Sequence, residues 1–189
     1  MALEAWVYPR SAGNAIDQDF IMKWAGVTTA AYGFQVDATG VLRLVTNNGI
    51  TQSIVLGTTH LTNNTWQHVA ATYDHGTVRL YLNGVLDRTA TGVLTPIQTP
   101  EPVGFGREAG CACGQLDGLL DEIRVWNQVR SASAIAKSRA KPSGHEPGLV
   151  GYWRLQESTG SETTDATGHG LTGNLQIGAA WSTNAAPVR

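Results

Sequence analysis

Trp24, Tyr32, Arg43, Asn47 and Asn48 are the residues in this chain best suited to holding a polyhydroxylated ligand. Aromatic faces stack on sugar rings, while planar amides and guanidinium groups bond hydroxyls. Trp24 stands beside Lys23 and ahead of Gly26, a context that suits an exposed ring. Six tryptophans are many for 189 residues. The competing reading packs Trp24 into the interior and leaves the two asparagines as ordinary turn residues.

A second constellation suits a hard cation. Asp117, Asp121 and Asp165, with loop carbonyls of Thr167-Gly168-His169-Gly170, supply the oxygen donors that a structural Ca2+ requires. Against this, aspartates in such positions also cap turns through their own backbone, and Glu122 or Arg124 can form a cross-strand ion pair.

Catalytic patterns are absent. Glycoside cleavage on a sheet needs two carboxylates on one strand face, as in Glu-X-Asp, and no such motif occurs. Asp121 and Glu122 are adjacent and are expected on opposite faces. Asp17 and Asp19 have the right spacing but fall in a polar stretch that reads as a loop with nothing to raise a pKa. No Gly-X-Ser-X-Gly elbow is present. The expectation is therefore a non-enzyme. Cys111 and Cys113 lack the partners of a zinc site and read as two thiols or a local disulfide.

Charge excludes other classes. The net charge is −2 and the basic residues are scattered, which disfavours nucleic acid and membrane surfaces as partners. No apolar run is long enough to cross a bilayer, so membrane insertion is not expected. Met1-Ala2-Leu3-Glu4-Ala5-Trp6 enters patterned sequence directly, without the layout of a signal peptide. A secreted or cell-surface location is therefore expected only if the chain is part of a larger exported protein.

Strands must position these groups. Apolar residues alternate with period two, interrupted by turn signals: Asn47-Asn48-Gly49, Asp74-His75-Gly76 and Asn83-Gly84. These imply three consecutive hairpins between Val41 and Thr91, forming a meander with one buried and one wet face. Further strands are expected at Leu3–Tyr8, Phe20–Trp24, Ala31–Val36, Val103–Gly106, Leu116–Trp126, Leu149–Leu155 and Leu171–Ile177. One short helical turn is expected near 131–140, capped by Ser131 and anchored by Ile135. So many short strands bury their apolar faces by stacking as an all-β, two-sheet antiparallel β-sandwich, a jelly roll.

Four segments resemble the laminin G-like, concanavalin A-like superfamily as it occurs in bacterial surface and secreted proteins. They are Leu3-Glu4-Ala5-Trp6-Val7-Tyr8-Pro9; Asn64 to Asp74, continuing through Arg79-Leu80-Tyr81-Leu82-Asn83-Gly84; Leu116 to Asn127, with Arg130-Ser131 behind it; and Gly148 to Leu155, then Asp165-Ala166-Thr167-Gly168-His169-Gly170. The resemblance implies one domain over residues 1–182 with a tail at 183–189. It also assigns Trp6, Trp66, Trp126 and Trp153 to strand motifs, leaving Trp24 unassigned. Members bind sugars, glycosaminoglycans, proteins or calcium, and some relatives cleave glycans. The implied function is a non-catalytic, lectin-like module for carbohydrate or an extracellular protein ligand. The alternatives are an adhesion or assembly domain and a glycan-active enzyme. Two departures stand out. The family's usual strand before the Leu3 segment is absent, which implies an exposed sheet edge suited to oligomer formation. In addition, Gly106-Arg107-Glu108-Ala109-Gly110 keeps only Glu108 of the carboxylates in a pentraxin double-calcium site.

Overall fold

The structure, a computed structural model, describes residues 1–189 except 25, 27, 28, 110–112, 139, 141, 177 and 189. Two antiparallel sheets dominate. Strands β1 (Ala2–Pro9), β6 (Gln67–Asp74), β7 (Thr77–Leu82), β8 (Val85–Ala90), β10 (Gly118–Trp126) and β11 (Leu149–Trp153) form a six-stranded sheet in the order β11-β10-β1-β6-β7-β8. Strands β2 (Gln18–Lys23), β3 (Tyr32–Val36), β4 (Val41–Asn47), β5 (Gln52–His60) and β9 (Gly104–Phe105) form a five-stranded sheet in the order β5-β4-β3-β2-β9. A small ribbon pairs β12 (Glu162–Thr163) with β13 (Gly173–Asn174).

The inward faces meet in one apolar core. Leu3, Ala5 and Val7 of β1 and Val69 and Ala71 of β6 face Phe34 and Val36 of β3 and Leu42 and Leu44 of β4. Each set follows the alternation of a pleated strand. Turn chemistry sets the registers. Asn83 and Gly84 take φ of 52° and 81°, as a tight hairpin needs, and the Asn83 side chain accepts from His68 N at 3.0 Å. Asn48 Oδ1 accepts from Ile50 N and Thr51 N, so β5 begins at Gln52, two residues later than Ile50.

The three hairpins do not form one meander. The β4–β5 hairpin belongs to the five-stranded sheet, while β6, β7 and β8 belong to the other. Leu61, buried in the core, carries the chain across, and Gln67 brackets the crossing through two bonds to the Thr62 backbone. The expected strand at 171–177 reduces to β13, with Ile177 outside the described residues. β1 is paired on both sides, by β10 and β6, so the sheet's edges lie at β11 and β8 instead. Asn184 and Ala186 of the C-terminal segment dock on the domain, on Trp66 and Asp121 respectively. Among the described residues no helix is long and apolar enough to cross a membrane.

The outer face of the six-stranded sheet is not wet where α1 (Ala132–Lys137) covers it. Ser131 caps this helix through Ala134 N, and Ile135 inserts beside Ala70 and Tyr81. Beneath it lies a sealed charge cluster of Glu4, His68, Glu122 and Arg124, each at most 1% exposed. Arg124 Nη2 bonds Glu122 Oε2 at 2.9 Å, and the Tyr152 hydroxyl donates to the same oxygen. Arg130 stacks on Trp126 at 4.0 Å and reaches Glu4 at 3.4 Å. Burial alone would raise the Glu4 carboxyl, but His68, Arg124 and Arg130 together hold it below the usual carboxylate range. A bulge in β10, with Glu122 at φ 53°, interrupts the alternation. Asp121 therefore pairs with Trp6 while Glu122 meets Arg124 and Tyr152, so the two carboxylates are not sent to opposite faces as adjacency suggested.

Candidate functional site

The outer face of the five-stranded sheet is open and carries a groove of about 550 Å³. Its floor follows from register. Asp19, Gln35 and Arg43 are cross-strand neighbours on β2, β3 and β4, and Met22, Gly33 and Val45 form the next row. Gly33 matters here, because a Cβ would overlap the Met22 thioether that fills the space above it. Trp24, at the exit of β2, is half-buried and stands at one side. The β1–β2 connection brings Asp17, and the connection between β9 and β10 brings Glu108, Cys113 and Gly114.

The groove's charges are unequal. Arg43 is paired with Asp17, which also accepts from Ala38 N at 2.8 Å. Asp19 is only 3% exposed, and among the described residues no hydrogen-bond donor reaches its carboxylate. It packs against Gly114, where a Cβ would run into that carboxylate. Burial, then the neighbouring charges of Glu108 and Asp17, push the Asp19 carboxyl up to about 7 against the opposing pull of Arg43. Burial also raises Glu108. Asp19 is thus a strand residue with a strongly shifted acid, not part of a polar loop. A bulge between Asp19 and Ile21 turns Phe20 and Ile21 inward together and leaves Asp19 facing out.

Of the five residues proposed for a ligand surface, the structure brings Trp24 and Arg43 into this groove. Tyr32 is buried in the core beside Phe34 and Val36, and desolvation raises its hydroxyl to about 12. Asn47 is fully buried and accepts from Gly49 N at 2.6 Å, while Asn48 caps the turn after it. Asp17, Asp19, Gln35 and Glu108 are groove residues that the sequence did not single out as ligand-binding. The parity of β3 was an available signal for Gln35 alone. Cys113 is disulfide-bonded, and Cys111 lies outside the described residues.

The three aspartates chosen for calcium do not fit a shared ion. Asp165 accepts from Tyr152 N, Thr167 N and the Thr167 hydroxyl, bonds that hold its carboxyl low against the cost of burial. Asp121 accepts from Glu122 N and Ala186 N, and Asp117 lies at the surface 3.7 Å from Arg10. No group of three or more His, Cys, Asp or Glu able to hold a metal occurs among the described residues.

A stacked pair of antiparallel sheets with a ligand-sized groove across one outer face is the architecture of a lectin-like sandwich. The chain belongs to the concanavalin A-like lectin/glucanases superfamily, whose Laminin_G_3 model matches residues 1–136. Among solved structures it is similar to a Bacteroides ovatus protein provisionally described as carbohydrate binding, with 20% identity and a TM-score of 0.73 over 97% of this chain. The chain spans 55% of that protein's length. It is also similar to the CBM40 of a Ruminococcus gnavus IT-sialidase bound to α2,3-sialyllactose, at 17% identity and TM-score 0.60 over 72% of this chain and 80% of that one. Domain 4 of a Geobacillus stearothermophilus extracellular arabinanase, in complex with arabinotriose, matches at 18% identity and TM-score 0.54, over 72% of this chain and 64% of that one. A comparison with curated proteins returned no match.

Proposed function

We propose that this domain is a non-catalytic glycan-binding module, working outside the cell or at its surface, whose ligand lies in the groove on the five-stranded sheet. The supporting observation is the pairing of a half-buried Trp24 with a polar floor of Asp19, Gln35 and Arg43 in one groove of about 550 Å³. A ring face and a few convergent polar groups are what saccharide recognition needs. Solved relatives of the same fold are described with sialyllactose and arabinotriose bound, which agrees with this reading.

Isothermal titration against a panel of oligosaccharides tests it. Binding is expected, with loss in Trp24→Ala and no dependence on EDTA. A panel with no binder would defeat the proposal, and binding unchanged in Trp24→Ala would move the site elsewhere.

One observation favours a second reading, a glycan-cleaving enzyme. An acid near 7 with a second carboxylate, Glu108, beside it resembles a general acid prepared for neutral pH. Release of reducing ends during long incubation, abolished in Asp19→Asn, would establish catalysis; its absence across the panel's binders would exclude it for those ligands.

A further inference from the structure

We propose that the groove selects amine-bearing sugars, with the ligand's ammonium group seated against Asp19 and Glu108 and its ring against Trp24. This rests on the glycan-binding reading and narrows it to a ligand class. The groove is lined by three carboxylates, Asp17, Asp19 and Glu108, and one guanidinium, Arg43. Asp17 already neutralises Arg43, and Asp17 is further tied to Ala38 N. Asp19 and Glu108 therefore have no cationic partner of their own among the described residues.

Asp19 is the decisive group. A carboxylate 3% exposed normally finds backbone amides or a cation, as Asp165 does with Thr167 and Tyr152. Asp19 lines the groove without any such donor among the described residues, and its neighbour Glu108 adds a second negative charge. Bringing up an anionic sugar would place a third negative charge against these two, whereas an ammonium supplies both the missing donors and the missing charge. Neutral hydroxyls supply only donors. The same electrostatics turns the groove against sialic and uronic acids, unlike the sialyllactose-bound relative.

Calorimetric titration of the whole chain distinguishes these ligands. The probes are glucosamine oligosaccharides, their N-acetylated counterparts of equal length, and sialyllactose, all at neutral pH and moderate salt. The amine-bearing series is expected to bind at least about tenfold tighter than the acetylated series, with sialyllactose weakest. Asp19→Asn and Glu108→Gln should each reduce that preference, while Glu162→Gln, an exposed acid on the β12–β13 ribbon, should leave it intact. Glu108→Gln guards against misfolding of the buried variant, since Glu108 lies on a connection and not in a strand. Equal affinity for the amine and acetylated series would overturn this inference and leave glycan binding standing, as would a preference that survives both groove variants. No binding in any series would overturn the glycan reading and this inference with it.

Discussion

Two charge clusters sit on opposite outer faces of the sandwich, and they differ in closure. Under α1, two carboxylates, Glu4 and Glu122, meet two guanidinium groups, Arg124 and Arg130, with Tyr152 and Trp126 stacked alongside. In the groove, Asp17, Asp19 and Glu108 meet one, Arg43. The first cluster is balanced internally and covered by the chain's own helix. The second, among the described residues, is neither balanced nor covered. Buried charge persists in a fold only when something pairs with it. The helix and Arg130 fill that role on one face, and on the other the proposed ligand would fill it.

The largest effect expected from breaking this contrast is on the sealed side. Arg124→Met leaves Glu4 and Glu122 buried with half their counter-charge gone, and it also frees the Ser138 and Ala140 carbonyls that Arg124 bonds. Removing one partner of a buried pair costs about 3–5 kcal/mol. Urea unfolding should show that loss, and a variant as stable as the parent would mean that the cluster contributes little. Ile135→Ala attacks the cover directly. It removes the side chain by which α1 docks on Ala70 and Tyr81 and should cost roughly 2–4 kcal/mol.

On the open side a charge can be removed with gain. The Asp19 carboxyl titrates at about 7 in the folded chain and near ~3.9 when unfolded. The folded state therefore holds the proton more tightly, so this group's stabilisation is full below about pH 4 and is lost as pH rises through about 7. Asparagine cannot ionise. Asp19→Asn should match the parent in acid and exceed it above neutrality by on the order of 4 kcal/mol. Urea midpoints measured across this pH range decide the matter: a gap that does not widen with pH would show that Asp19 is not the burdened acid the geometry makes it. Gain in stability together with loss of ligand would be the signature of a group kept for binding.

The sandwich was legible because its signals are local. Alternation marks the strands, Asn83-Gly84 and Asn48-Gly49 mark turns, and Ser131 with Ile135 marks the helix. The split of the hairpins between two sheets was not legible, because Leu61 and Thr62 carry no turn signature that says which sheet the chain rejoins. The groove was half legible. Trp24 and Arg43 were named from residue type, but Tyr32 shares the inward parity of Phe34 and Val36, and that parity outweighs its aromatic chemistry. Asp19 was set aside as a loop residue, for two reasons that lie outside a local window. A bulge sets which face it takes, and the Glu108–Gly114 wall that desolvates it arrives from about ninety residues away along the chain.

The smallest effect sharpens the comparison most. Arg43→Met is the groove counterpart of Arg124→Met, the same substitution on the other charge cluster. Arg43 is 20% exposed and its partner Asp17 is 37% exposed, so solvent screens the pair and takes over when it is broken. The expected cost is under about 1 kcal/mol, against several for Arg124. Loss of Arg43 also removes the positive charge that acts on Asp19, making the groove more acidic still. Binding of an amine-bearing sugar should therefore hold or strengthen even as stability falls slightly. A cost at Arg43 as large as that at Arg124 would mean that the groove is as closed as the helix-covered face, and the distinction between a sealed cluster and a waiting one would fail.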